Sequence, residues 1–189
     1  MQQSKVSRYV LIGMLSAISY VLMLLDFPLP GFPPFLKVDF SDVPALLSAI
    51  IMGQGAGVLI ELFKNIIDVL TTGSETGIPV GHFANFATGT TFILTAYWIY
   101  SHVKSKKGLT IGLIAATVVT ALMMSVLNYF IFIPLYAKFM NFTLPKKMVI
   151  SAILPFNLIK GVILSSVFFL LFLRLQTWIQ KQEMRFKQV

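Results

Sequence analysis

The residues best suited to chemistry lie near the end of the chain, inside its last apolar segment. Asn157 and Lys160 are one helical turn apart and Gly161 shares their face, so a helix presents an amide, an ammonium and a small residue as one polar stripe. An ammonium in hydrocarbon costs about 2.5–3.5 kcal/mol or more unless it faces a polar cavity or a partner. The stripe therefore predicts a polar binding site inside a bundle of membrane helices.

Further polar side chains are expected at a similar depth in other apolar segments: Asn85, Asn128 and Asp68. Side-chain amides donate and accept in one plane, which suits a planar heterocycle or a polyol, and an aromatic face such as that of Phe40 stacks on a ring. A single buried amide often only bonds a neighbouring helix, for about 0.6 kcal/mol. Several at one depth favour a pocket for a largely neutral, ring-bearing solute.

The composition is that of an integral membrane protein, since 57% of the 189 residues are hydrophobic and only 12% are charged. There is no cysteine, and the two histidines are isolated, so neither a metal site nor a Cys nucleophile is expected. One transmembrane substrate-binding domain, 1–189, is predicted, with an all-α bundle of six membrane helices at about 8–25, 43–54, 56–72, 82–101, 109–133 and 147–173. A single long broken helix in place of the second and third is the alternative, and it leaves five spans.

The basic residues predict the orientation of these six spans. With both termini in the cytoplasm, nine basic residues fall inside (Lys5, Arg8, Lys104, Lys106, Lys107, Arg174, Lys181, Arg185, Lys187) and four outside (Lys37, Lys138, Lys146, Lys147). Positive charge concentrates on the cytoplasmic side of membrane proteins. The sequence therefore predicts a multi-pass protein of the cell membrane with both termini inside.

The connection between the first two spans, residues 26–41, is called the lid loop below. It contains four prolines, which restrict its backbone, and four phenylalanines, which are too many for a loop that only contacts water. We expect the loop to fold back over the bundle and to cap the pocket, with Leu36 and Phe40 contacting the bound solute.

The third span places Glu61, Lys64 and Asp68 on one helical face with Asn65 and Thr72. The spacing predicts that these charges neutralise one another along the helix. Glu61 and Lys64 are expected near the cytoplasmic end, which favours a structural salt bridge over an ion path. For Asp68, a structural salt bridge and a role in the binding site are equally favoured.

Two segments and the length of the chain resemble a known family. The segments are Leu36-Lys37-Val38-Asp39-Phe40-Ser41-Asp42-Val43-Pro44 and Pro155-Phe156-Asn157-Leu158-Ile159-Lys160-Gly161. In a six-helix chain of this size, they resemble the S-components of energy-coupling factor vitamin transporters, and specifically the riboflavin-specific members in Gram-positive bacteria.

The resemblance implies a substrate, a site and partners. Riboflavin would bind from outside as a transport substrate and not as a cofactor, with Asn157 and Lys160 as polar ligands. The chain would work with a transmembrane coupling protein and two ATP-binding cassette ATPases. Gly13 and Ala17, four residues apart on the first helix, match the small-residue motif that docks on the coupling protein.

The sequence leaves three alternatives to this function. A different vitamin remains open, because pocket details decide the substrate. A stand-alone ion-coupled transporter using Glu61, Lys64 and Asp68 is the second alternative. A membrane enzyme is disfavoured, since no nucleophile–base pair can be assembled from this composition.

Overall fold

A computed structural model describes residues 5–74, 77–140 and 145–187. The described chain forms α1 (Lys5–Leu24), a two-stranded antiparallel hairpin of β1 (Phe27–Pro28) and β2 (Lys37–Val38), α2 (Asp42–Met52), α3 (Gln54–Thr72), α4 (Val80–His102), α5 (Lys106–Leu127), α6 (Ile133–Met140) and α7 (Leu154–Lys187). Two π-helical turns, Asn128–Phe132 and Val149–Ile153, continue directly into α6 and α7. The described chain therefore contains six helical segments, with α5, the first π turn and α6 as the fifth.

Both π-helical turns have a cause in the sequence. Pro134 and Pro155 each lie two residues after such a turn. Proline lacks an N–H and its ring clashes with the carbonyl four residues earlier, so the helix widens in the preceding turn instead of ending. The fifth segment was predicted to end at 133, and the structure continues it to Met140 because the π turn accommodates Pro134.

α7 also runs beyond its predicted end at 173. It continues to Lys187. The part of the last segment between Val149 and Phe186 already has 38 residues. At 1.5 Å per residue this is about 57 Å, nearly twice the hydrocarbon thickness of about 30 Å. Hydropathy falls after Leu173, but the residues that follow are good helix formers, and Ile179 and Phe186 pack into the core.

α2 and α3 form a helical hairpin, and the alternative of one long broken helix is not what the structure shows. Gly53 lies between them with φ of 95°, a left-handed conformation that ends α2. A Cβ on Gly57 would lie 2.9 Å from the Ala45 carbonyl oxygen and from the Ala49 side chain. The two helices therefore pack in close contact along small residues.

Three helices of the described chain are long and apolar enough to cross a membrane: Lys5–Leu24, Lys106–Phe139 and Val149–Phe186. α3 and α4 have 19 and 23 residues but are more polar. α2 has only 11 residues, or about 16 Å, which is half of the hydrocarbon core.

The two ends of the bundle are named here by what they carry. At the terminal end, Arg8 of α1 donates to the Met52 carbonyl at 2.8 Å and Lys104 pairs with Glu183. At the loop end lie the lid loop and the contact between Tyr20 and Thr71, at 2.8 Å. Both termini of the described chain are therefore at the same end, as the even number of helical segments requires.

Candidate ligand-binding site

The site begins with Lys160, which the structure brings against the lid loop. Its Nζ lies 3.0 Å from Oδ2 of Asp39, and the two residues are 6% and 3% exposed. Asn157 lies one turn earlier on the same helix and is also buried. The predicted polar stripe of α7 thus faces the interior of the bundle, and its ammonium has a carboxylate partner that the sequence analysis did not assign.

Asp39 is held in its ionised form by its neighbours. The backbone N–H of Ser41 donates to its Oδ1 at 2.9 Å, and the Ser41 hydroxyl donates to the same oxygen. Burial alone would raise the pKa of this carboxyl, but Lys160, Lys64 and the two hydrogen bonds from Ser41 outweigh burial and lower the pKa below its usual range. The Asp39–Lys160 contact is therefore a true ion pair that fixes the end of the lid loop inside the bundle.

A second ion pair lies beside the first and connects α3 to the start of α2. Lys64 is completely buried, and its Nζ lies 2.5 Å from Asp42 Oδ1 and 2.8 Å from Glu61 Oε2. It also donates to the Ser41 hydroxyl at 2.6 Å. We call Asp39, Asp42, Glu61, Lys64 and Lys160 the charged cluster. Ser41 contacts both halves of it.

Two expectations about α3 are corrected by this geometry. Glu61 and Lys64 do pair, but the next partner of Lys64 is Asp42 on α2 and not Asp68 on its own helix. Lys64 was also expected near the cytoplasmic end. Its contacts with Ser41 and Asp42 place it level with the inner end of the lid loop, because the short α2 begins deep in the bundle.

Asp68 and Asn85 belong to a row of contacts between α3 and α4. Nearest the loop end, His82 Nε2 lies 2.8 Å from Asp68 Oδ2. One turn deeper, Asn65 donates to the Asn85 amide oxygen at 3.4 Å and to the Glu61 carbonyl at 2.8 Å. The Asn65 amide oxygen is buried without a hydrogen-bond partner in the described part of the chain, which leaves an acceptor available beside Asn85.

Asn128 and Asn157 are positioned by the two π-helical turns. The side-chain amide of Asn128 donates to the Met124 carbonyl and that of Asn157 donates to the Ile153 carbonyl, each at 2.8 Å. Asn128 opens the first π turn, and Ile153 closes the second. Such turns occur frequently at functional sites because they rotate side chains away from regular α-helical positions.

The lid loop folds back over the bundle, as its composition predicted. Phe32 contacts Phe156 of α7 edge-on at 5.8 Å between ring centroids, and Phe40 lies 6.2 Å from Phe27. Leu36 packs against a small apolar cluster of Ile133, Val149 and Ile153. The loop therefore contacts both segments that carry a π turn, and one of its contacts is with Phe156, the neighbour of Asn157 in sequence.

Gly161 and the docking pair Gly13 and Ala17 differ in their surroundings. A Cβ on Gly161 would lie 2.7 Å from the Thr117 methyl, so this glycine allows α7 to approach α5. Gly13 and Ala17 are exposed on α1, and a Cβ on Gly13 would have no neighbour within 4 Å in the described structure. Gly161 lies at a helix–helix contact, and the small residues of α1 lie on a free face.

Sequence reasoning missed Asp39, Ser41 and Asp42 as members of the site. They had been assigned to the outer loop and the second helix entry, where acidic residues commonly face water. The available signal was Lys160, which had no assigned partner, since a buried ammonium requires a carboxylate from elsewhere in the chain. Asp39 and Asp42 are two of the five acidic residues that the sequence holds outside α3.

The fold and the site together define a class of protein: a helical membrane protein with a buried polar site under a loop that is anchored by internal ion pairs. A profile of the family described as "ECF transporter, substrate-specific component" matches residues 7–172. The chain belongs to this family.

Individual relatives agree with that assignment. The chain is 43% identical to riboflavin transporter FmnP of Bacillus subtilis, over 94% of this chain and 96% of that protein. It is 45% identical to riboflavin transporter RibU of Staphylococcus aureus, over 96% and 95%. A solved structure described as "Structure and mechanism of the S component of a bacterial ECF transporter" superimposes with a TM-score of 0.82 at 44% identity, over 93% of this chain and 99% of that one.

Proposed function

We propose that this chain is the membrane-embedded substrate-binding subunit of a riboflavin uptake system, located in the cell membrane with both termini in the cytoplasm. The observation that carries the proposal is its 43–45% identity, over nearly the full length of both chains, to two proteins named riboflavin transporters. The buried amides and the aromatic lid loop support it, because their chemistry matches that of riboflavin.

Riboflavin presents a planar ring system with donors and acceptors on one edge and a polyol chain. In the proposal, Asn85, Asn128 and Asn157 bond these polar groups, and Leu36 and Phe40 of the lid loop contact the ring. Asp68 lies one turn nearer the loop end and contributes at the mouth of the site, through its pair with His82. Gly161 contributes indirectly, by letting α7 approach α5.

Lys160 has two tasks in this proposal. Its ammonium holds Asp39 and thereby the inner end of the lid loop, and its remaining donors are available to a carbonyl of the flavin ring. The ligand enters from the loop end while the hairpin part of the lid loop is displaced. Asp39 stays with Lys160, so that the loop closes again on a fixed anchor and excludes water from the ring.

Release to the cytoplasm requires partners, because the described chain carries no ATP-binding loop. We propose that a transmembrane coupling protein docks on the exposed face of α1 at Gly13 and Ala17, and that two ATP-binding cassette ATPases drive reorientation of the bundle. The chain acts without a cofactor and is not an enzyme. The ion-coupled alternative is less favoured, because Lys64 is already paired with Glu61 and Asp42.

The test is riboflavin binding by the purified protein. Protein from cells grown with riboflavin should carry a stoichiometric flavin absorption band, and ligand-free protein should quench added riboflavin fluorescence. Asn157→Ala and Asn85→Ala should each weaken binding about tenfold, since a lost buried hydrogen bond costs about 1–3 kcal/mol. Lys107→Ala, an exposed lysine at the terminal end, is the control and should bind normally.

Two results would contradict the proposal. Colourless protein that fails to quench riboflavin but binds another vitamin would keep the family and change the substrate. Transport that is abolished by Glu61→Gln while riboflavin binding is unchanged, in the absence of any ATPase, would favour the ion-coupled transporter.

A further inference from the structure

A cleft opens at the terminal end of the bundle, far from the ligand site. Ser7, Val10, Leu11 and Met14 of α1 form one wall, and Trp178, Gln182 and Arg185 of α7 form the other. Ile51 and Phe186 lie at its floor. Nothing in the proposed riboflavin site uses these residues.

The walls of this cleft are held in place by polar contacts on both sides. Arg8 ties α1 to the end of α2 through the Met52 carbonyl, at 2.8 Å. Lys104 pairs with Glu183 and ties the end of α7 to the end of α4. Ile179 and Phe186 of α7 are buried in the main core. These contacts hold together the helices on either side of the cleft.

The cleft has two chemically different parts. Val10, Leu11 and Met14 give an apolar wall along α1, with Val10 and Met14 more than half exposed. The other part is polar and basic: Arg185 and Gln182 line it, and they also line an adjoining recess together with Lys181. The nearby acidic residue, Glu183, is neutralised by Lys104. The cleft thus runs from apolar side chains to a guanidinium that has no ion pair in the described part of the chain. This matches a phospholipid, whose acyl chains are joined through glycerol to a phosphate.

The depth of the cleft agrees with this chemistry. α1 enters the apolar part of its length just after Arg8, and Trp178 lies on the cleft wall. Tryptophan concentrates at the boundary between lipid headgroups and hydrocarbon, and basic side chains there attract anionic lipids. A lipid lying against α1 would thus have its headgroup level with Arg185.

We propose that this cleft is a binding site for one anionic phospholipid, with the phosphate on Arg185 and Gln182 and an acyl chain along Val10 and Met14. The bound lipid fills the space between the start of α1 and the end of α7. Val10 and Met14 share one face of α1 with Gly13 and Ala17, so the lipid would have to leave this face before the coupling protein docks there.

Trp178 provides a direct test, since the chain has only two tryptophans and the other, Trp98, is exposed on α4 outside the cleft. Ligand-free protein is reconstituted into phosphatidylcholine containing increasing fractions of phosphatidylglycerol brominated on its acyl chains, which quenches tryptophan on contact. In Trp98→Phe protein, Trp178 should report about fivefold more phosphatidylglycerol than the bulk bilayer holds, as expected for about 1 kcal/mol from one basic residue. In Trp178→Phe protein, Trp98 should report the bulk fraction.

Charge variants identify the headgroup contact. Arg185→Gln in the Trp98→Phe background should return Trp178 to the bulk fraction. Lys107→Gln in the same background removes one positive charge from the terminal end outside the cleft and should leave the enrichment unchanged. Both variants should melt at the same temperature as the parent, which separates lipid binding from folding.

Three results would overturn the proposal. Equal enrichment at Trp98 and Trp178 would mean a general surface charge effect. Enrichment that survives Arg185→Gln would mean that the cleft does not hold the headgroup. No enrichment at Trp178, together with its shielding on addition of the coupling protein, would assign the cleft to a protein partner.

Discussion

Breaking the Asp39–Lys160 ion pair is the perturbation for which the structure allows the sharpest prediction. The lid loop supplies a natural control, because it contains a second ion pair, Lys37–Asp26, with the same N–O distance of 3.0 Å. The side chains of Lys160 and Asp39 are 7% and 5% exposed, whereas those of Lys37 and Asp26 are 45% and 36% exposed. The two pairs differ in burial and hardly at all in geometry.

The magnitudes follow from that difference. At 3.0 Å two unit charges attract by about 5.5 kcal/mol at an effective dielectric constant of 20 and by about 1.4 kcal/mol in water. Desolvation offsets much of the attraction in the buried pair, but removing one partner leaves the other charge buried alone, which costs about 3–5 kcal/mol. Asp39→Asn and Lys160→Met should each lower the free energy of unfolding by that amount.

The assay is a double-mutant cycle on ligand-free protein, unfolded with SDS in mixed micelles and followed by circular dichroism. The double variant should lose about 2–3 kcal/mol less than the sum of the single variants. The cycle on Asp26→Asn and Lys37→Met should give a coupling energy below about 1 kcal/mol. Equal coupling energies in the two cycles would refute the argument that burial of Asp39 and Lys160 anchors the lid loop.

Three further predictions test other parts of the structure. The pKa of Asp39 is lowered from 3.8, so the stability that this carboxylate gives the fold is complete above pH 3.8 and is lost only as the pH falls through the lower folded pKa. The difference in unfolding free energy between wild type and Asp39→Asn should therefore be constant from about pH 8 to about pH 5. Gly161→Ala should lower the free energy of unfolding by about 1–3 kcal/mol in the same SDS titration, because the new methyl group meets Thr117. Gly13→Ala has open space around it and should change the free energy of unfolding by less than about 0.5 kcal/mol, but it should reduce assembly with the coupling protein. Gly53→Ala should lower the melting temperature by the equivalent of about 1–2 kcal/mol, since its φ of 95° strains any residue with a Cβ, and an unchanged melting temperature would contradict the left-handed turn.

The helical bundle was predictable because hydropathy and helix periodicity are properties of each segment alone. The six segments, the hairpin at Gly53 and the inward polar face of α7 all follow from such local patterns. The ends of the fifth and sixth segments were not, because hydropathy reports where a helix leaves the hydrocarbon and not where its hydrogen bonds stop. The π turn before Pro134 carries the fifth segment beyond its predicted end at 133, and hydropathy gives no signal for such a turn.

The charged cluster was predictable only in part. The spacing of Glu61 and Lys64 correctly indicated their pair, because both lie on one helix. The partner of Lys160 is 121 residues earlier in the chain, and helix spacing carries no information about such a contact. The same limit explains why Asp68 was joined to Lys64 and not to His82, which lies on the neighbouring helix.

The short length of α2 has a consequence for how the protein enters the membrane during synthesis. Because α2 reaches only about half-way across, Asp39 and Asp42 lie deep between the helices, and they must reach that depth together with the ammoniums of Lys64 and Lys160. α3 is less apolar than the helices that meet the criteria for spanning a membrane, so we expect it to insert as a hairpin with α2, in which Lys64 is paired with Asp42 and Glu61. Asp39 gains its partner Lys160 only when the last helix has been made, so we expect the lid loop to close after all the other helices have inserted.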